Sequence, residues 1–212
     1  MKFCIIGIGR FGLQLAKSLT KNGMDVLAID KIEERIDLIK DIVTQAIVMD
    51  MVDEESLRAM GIEEMDTVIV AIGRNFEDSI LLTRTLKHNL EIECIIVRSV
   101  DALQREILEI IGADQVILPE QEAAITLADN LSSPFLEVEH IGPNFSVAAI
   151  IAPDKFVGKT IDELNFLDEY IINCVAIKRD EETLLPQKDS IIQDHDILYF
   201  AGKNVDIEKL IG

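Results

Sequence analysis

Basic residues are scarce in this chain of 212 residues: 20 Lys and Arg stand against 39 Asp and Glu, a formal charge of −19. Such a surface repels phosphate backbones and anionic headgroups, which argues against nucleic acid and membrane surfaces as partners. Long apolar runs are missing too. None reaches the ~20 residues needed to cross a bilayer, and the first residues enter a strand-like run without a charged leader, so direct membrane insertion is not expected and a cytosolic chain is. The three cysteines, Cys4, Cys94 and Cys174, lie far apart inside apolar runs and read as reduced core residues. The three histidines, His88, His140 and His195, have no Cys or His neighbour at metal-ligand spacing, which argues against a zinc site.

What the chain does have is apolar residues, 49% of the total, enough to bury a core for one large or two small domains. They fall in an alternating rhythm. Apolar runs at Met1–Ile8, Val26–Ile29, Ala46–Met49, Thr67–Ile72, Cys94–Val97 and Gln115–Leu118 predict strands. Between them, helices are expected from Leu13 to Gly23, Glu33 to about Ile42, after an Asp53 N-cap up to Gly61, Phe76 to Asn89, and Ala102 to Ile111 with Gly112 as the stop. Unbroken apolar strands alternating with helices imply an α/β domain, a doubly wound parallel sheet of Rossmann type. After a further helical stretch, Glu120–Leu131, the run Ser132, Ser133 and Pro134 breaks the pattern. The expected domains are therefore residues 1–133 and a small α+β domain at 134–212, with strands near Phe145–Ala152, Ile171–Ile177 and Asp196–Phe200 and a short helix at Ile161–Leu164.

Gly7, Gly9 and Gly12 form G-x-G-x-x-G between the first strand and the first helix. The first glycine permits the turn, the second admits a pyrophosphate to the backbone, and the third lets helix and strand approach. The helix N-terminus adds unpaired N–H groups and a partial positive charge. Asp30, 18 residues past Gly12 at the end of the second strand, is placed to accept both hydroxyls of a ribose and disfavours a 2′-phosphate. ATP, ADP or NAD(H) is therefore expected rather than NADP. Arg10, inside the turn, offers a fork of donors to a terminal phosphate. Asp50, after the third strand, and Gly73 and Asn75, after the fourth, fall on the carboxyl edge where such crevices form, and with Ile8, Phe11, Lys31, Met51, Ala71 and Ile72 beside them they complete the expected seat.

These stretches carry a family resemblance: Gly7-Ile8-Gly9-Arg10-Phe11-Gly12, Ala28-Ile29-Asp30, Val68 to Gly73, Gly112-Ala113-Asp114 leading to Leu118-Pro119-Glu120, and, in the second half, Gly158 to Asn165 and Cys174 to Arg179. The chain resembles the TrkA/KtrA family over nearly its full length. Members have RCK folds and are cytosolic subunits that gate potassium transporters and channels. The resemblance implies dimers assembled into a ring, with an octamer expected, at the inner face of the membrane through a transporter subunit, and nucleotide-dependent changes of the ring's shape. It also implies that Arg98 approaches phosphate across the dimer interface and that Glu120 helps hold a divalent cation, Mg²⁺ or Ca²⁺. Relatives that bind cyclic di-AMP use a leucine-asparagine-x-arginine stretch; here Leu167 stands where that arginine would follow Leu164-Asn165-Phe166, which speaks against that ligand. The competing class is an NAD-dependent oxidoreductase. It requires a proton-transfer residue in a cleft, and no histidine follows a strand on the sheet's carboxyl edge. A scaffold with a vestigial site is the third reading.

Overall fold

Alternate residues of the first strand, β1 (Lys2–Ile6), enter different cores. Cys4 and Ile6 pack with Leu27, Ile29, Val68 and Val70, while Ile5 packs with Val26, Ala28 and Ile69. Both faces of the strand are thus apolar, as a parallel sheet covered on two sides requires. β2 (Asp25–Asp30), β3 (Gln45–Val48), β4 (Thr67–Val70), β5 (Ile95–Arg98) and β6 (Gln115–Ile117) join it, all in parallel, in the order β3-β2-β1-β4-β5-β6. The doubly wound sheet expected from the sequence is therefore present. Its order reverses between β1 and β4, the topological switch point where ligands settle outside the strands' carboxyl ends.

The computed structural model describes residues 1–50, 53–73, 75–132 and 135–210. They form two compact units, Met1–Glu122 and Ala123–Gly212. In the first, α1 (Arg10–Lys21), α3 (Glu54–Ala59), α4 (Phe76–Arg84) and α5 (Ala102–Ile111) follow strands as the periodicity predicts. Their ends have identifiable causes. Asp53 accepts the Ser56 N–H at 2.8 Å and caps α3, Asp101 does the same for Gln104 at 2.8 Å on α5, and Gly112, at φ +115°, closes α5 in the left-handed region. α4 runs on through a π-helical turn, Thr85–Asn89.

One helix is much shorter than its pattern. α2 spans only Glu33–Asp37, after which the chain continues in turns held by the Lys40 N–H on the Ile36 carbonyl and the Val43 N–H on that of Ile39. Ile36, Ile39 and Val43 are still buried against the sheet, so the helical spacing reported which residues face the core rather than an unbroken helix. A further helix, α6 (Pro119–Ser132), begins in the first unit and runs into the second. The first unit ends near the start of this helix, whereas the break in composition at Ser132, Ser133 and Pro134 comes at its end.

The second unit is an antiparallel sheet in the order β10-β9-β11-β8-β7, built from β7 (Glu137–Gly142), β8 (Phe145–Ile151), β9 (Asn173–Arg179), β10 (Glu182–Leu184) and β11 (Ile197–Lys203). α7 (Ile161–Leu164), α8 (Phe166–Tyr170) and α9 (Asn204–Ile207) accompany it. Phe166 centres its core, with ring centroids 5.2 Å from Phe156 and 4.7 Å from Phe200. α7 is fixed by a capping box between Thr160 and Glu163. Cys4 and Cys174 are buried and all three cysteines are free thiols. Burial pushes the Cys4 thiol up, and that of Cys174 to about 12.

Asp196 is the more deeply buried of two acids in the core of this unit, the other being Asp206. Its side chain has no solvent exposure, and it accepts from Arg179 Nε and Nη2 at 2.8 Å each and from the Gln193 N–H at 2.8 Å. Burial pushes this carboxyl up, but the Arg179 fork, the backbone donor and the guanidinium charge outweigh it and hold the group below the ordinary aspartate value. A carboxylate lowered in the folded state contributes stability that is complete above the unfolded value, ~3.9, and is lost as pH falls through the folded one. Arg179→Ala is expected to cost the second unit about 3 kcal/mol, because it leaves a buried charge unpaired. Asp196→Asn is expected to remove the part of the acid destabilisation that begins below about pH 4. Urea denaturation at pH 7 and down to pH 3 reads both; unchanged midpoints in Arg179→Ala and an unaltered acid profile in Asp196→Asn contradict them.

Candidate functional site

The glycine turn closes directly against the sheet. The Gly7 N–H donates to the Ile29 carbonyl at 2.8 Å and the Ala71 N–H donates to the Ile6 carbonyl at 2.8 Å, so the turn leaves β1 wedged between the ends of β2 and β4. Gly7 has φ +102°, a conformation that side chains resist. A Cβ built on Gly12 would lie 2.0 Å from the Gly7 carbonyl oxygen, whereas one built on Gly9 would meet nothing within 4 Å. The three glycines therefore do different work: Gly7 makes the turn, Gly12 lets α1 touch it, and Gly9 borders open space. The first helical hydrogen bond of α1 runs from the Leu13 N–H to the Gly9 carbonyl at 2.9 Å. The N–H groups of Arg10, Phe11 and Gly12 precede that bond and stay outside the ladder. No acidic side chain occupies the helix's first turn, so its positive end is not neutralised locally.

Asp30 ends β2 beside this turn and is 5% exposed. Its Oδ2 accepts the Ile8 N–H at 2.6 Å and its Oδ1 accepts the Ile32 N–H at 2.9 Å, so the acid is locked to the backbone of the turn. Arg35, on α2, donates to the same carboxylate from Nη1, 3.1 Å from Oδ2. Arg35 is not among the residues that the glycine and strand-edge pattern marks. Its signal is a basic side chain five residues after the ribose acid, on the short helix that follows.

Around this centre the expected residues fall into two groups. Arg10 and Lys31 are exposed and make no ion pair among the described residues; Ile8 is buried and Phe11 half-buried. Asp50 follows β3 and Ala71 and Ile72 follow β4 on the same edge, with Asn75 at the N-cap of α4. Met51 lies outside the described residues.

The second group sits over β4, β5 and β6. Arg98 ends β5, its guanidinium laid across Gly73, where a built Cβ would come within 1.9 Å of Nη1. Arg98 Nη2 donates to Glu120 Oε1 at 2.5 Å. The phosphate-approaching arginine and the cation-holding acid implied by the resemblance are thus partners of each other within one chain. Arg98 Nε is buried without a hydrogen-bond partner among the described residues. It borders a cleft of about 110 Å³ lined by Ile72, Gly73, Phe76, Ser79, Val100 and Gln104; Ser79 and Gln104 are lining residues that sequence reasoning missed. Among the described residues no group of three His, Cys, Asp or Glu side chains converges. A lone Glu120 already held by Arg98 does not fit a divalent cation in one chain.

In the second unit Asn165, at φ 40°, donates from Nδ2 to Asp168 at 2.8 Å, a local bridge between α7 and α8, and Leu167 is exposed. Among the described residues no helix is long and apolar enough to cross a membrane.

Comparison with known proteins places this geometry in context. The TrkA-N domain model matches residues 3–119 and the TrkA-C domain model matches residues 147–211. Ktr system potassium uptake protein C of Bacillus subtilis (strain 168) is 35% identical over 210 residues, 98% of this chain and 95% of that protein. Ktr system potassium uptake protein A of the same organism is 34% identical, covering 98% and 94%. Among solved structures, the GsuK channel bound to NAD is similar with a TM-score of 0.56 and 23% identity over 98% of this chain; this chain spans 37% of that channel chain, and the likeness is one of fold.

Proposed function

The chain belongs to the TrkA/KtrA family, a TrkA-N followed by a TrkA-C domain, and on that premise we propose that it is a nucleotide-binding regulatory subunit that gates a membrane potassium transporter or channel. The observation that carries the reading is the open space over Gly9, bordered by the free N-terminus of α1, the locked carboxylate of Asp30 and the exposed Arg10. That combination suits an adenine nucleotide: Asp30 for the ribose, the helix N-terminus for the α- and β-phosphates, and Arg10 for the terminal phosphate. On the β4–β5 side, Arg98 covers Gly73 and narrows the cleft where the second half of a dinucleotide would lie, which favours ATP or ADP over NAD(H).

Regulation follows from differential affinity: a nucleotide shifts an assembly only when its contacts differ between two shapes. The exposed apolar side chains Ile125, Leu127 and Leu131 on α6 and Leu103 and Ile110 on α5 support self-association, read here as dimers within an octameric ring. The similarity to Ktr potassium uptake proteins supports a transporter subunit as partner and a place at the cytoplasmic face of the membrane. A hydride-transfer enzyme finds less support. His88 is bonded to the Ile111 carbonyl beyond α4, and His140 and His195 belong to the second unit.

The test is Arg10→Ala. Calorimetric titration is expected to give wild type a preference for ATP over ADP, and the variant is expected to lose about tenfold in ATP affinity with little change for ADP, the size of one charge-assisted hydrogen bond. Equal losses for both nucleotides would remove Arg10 from the terminal phosphate. Turnover of NADH with a carbonyl substrate would instead support the enzyme.

A further inference from the structure

Asp30 is the acid read above as the ribose ligand, and this inference rests on that reading. A carboxylate offers about four lone-pair directions. On Asp30 the backbone takes two, from Ile8 and Ile32, and Arg35 Nη1 takes a third on Oδ2, with a longer approach of 3.5 Å to Oδ1. A ribose diol needs two acceptors, and one is left. The nucleotide and Arg35 therefore compete for the same oxygen.

The two partners differ in how readily they yield. The Asp30 side chain is 3% exposed and tied at both oxygens to backbone N–H groups, whereas the Arg35 side chain is 42% exposed and its remaining donors have no partner among the described residues. Arg35 is the member that moves. Held near the ribose position, it also presents an unsatisfied guanidinium fork, the group that matches a 2′-phosphate.

We propose that Arg35 sets the ribose selectivity of this seat: its ion pair with Asp30 must be displaced by a 2′,3′-diol, and its guanidinium supplies the counter-charge for a 2′-phosphate. Asp30 taken alone excludes NADP; the pair lowers that discrimination. Removing Arg35 frees the acid without orphaning it, because both backbone donors remain.

Arg35→Ala and Arg35→Lys, made in the full chain, are titrated by calorimetry with ATP, NAD and NADP at low and high salt, and their unliganded thermal midpoints are compared with wild type. Arg35→Ala is expected to bind ATP and NAD about two- to fivefold more tightly, the worth of a partly exposed ion pair. It is expected to bind NADP more weakly, and the salt dependence of ATP binding contributed by the ion pair is expected to fall. Arg35→Lys, which keeps the charge without the fork, is expected to lie between. ATP affinity that falls or stays unchanged in Arg35→Ala overturns the proposal, as does an equal shift for NAD and NADP. If neither wild type nor variant binds any of the three, the nucleotide seat itself fails and takes this inference with it, an outcome distinct from a bound nucleotide that ignores Arg35.

Discussion

Gly12→Ala is expected to destabilise the first unit by about 3 kcal/mol, near the top of what overpacking a buried contact costs. The added methyl lands 2.0 Å from the Gly7 carbonyl oxygen and 3.2 Å from its carbon. Neither can retreat cheaply, since Gly7 is already at φ +102° and its N–H is bonded to Ile29 across the sheet. α1 must lift from the turn, and with it the burial of Ile5, Ile8 and Ala16 in the core beneath. Against the 5–15 kcal/mol that holds a domain together, this is a large share. Urea denaturation of the full chain is expected to show the transition of the first unit moved to lower denaturant and that of the second unit in place. An unmoved first transition contradicts the contact.

Gly9→Ala is expected to have the opposite profile. Gly9 has φ −77° and ψ −169°, extended backbone open to any residue, and a Cβ there meets nothing within 4 Å. The change in stability is expected to stay within about 0.5 kcal/mol, as for a surface position. Binding is another matter, because the methyl enters the space through which a pyrophosphate reaches the helix N-terminus. A loss of at least about tenfold in ATP and ADP affinity is expected, read by calorimetric titration alongside the thermal midpoint without ligand. Full affinity in Gly9→Ala places the phosphates elsewhere. The pair of alanines thus separates two roles that the motif alone leaves merged, one glycine needed for folding and one for the ligand.

Much of this was legible in the residues. Continuous apolar runs between glycine- and aspartate-marked turns gave the parallel sheet, and Gly7, Gly9, Gly12 and Asp30 marked one point on its carboxyl edge. The strands that escaped notice are β7 and β10, whose residues are mostly exposed and often acidic; edge strands with little to bury leave little periodicity. The helical pattern over Glu33–Ile42 outruns α2 because turns bury Ile36, Ile39 and Val43 as a helix would. At the site, spacing locates side chains along a strand edge and is silent about their pairing. Thus Arg98 and Glu120, read as contacts to two different ligands, lie against each other, and Arg35, passed over, holds the acid on which the ribose reading depends.

An adenine nucleotide that occupies the glycine turn, as proposed, changes the state of an assembly. Sedimentation of the full chain with ATP, with ADP and without nucleotide, at matched ionic strength, reads that change. The expected result is an oligomer whose sedimentation coefficient or subunit number differs between ATP and ADP, a difference lost in Gly9→Ala; identical sedimentation under all three conditions, with nucleotide bound, would show that the nucleotide does not act on the assembly.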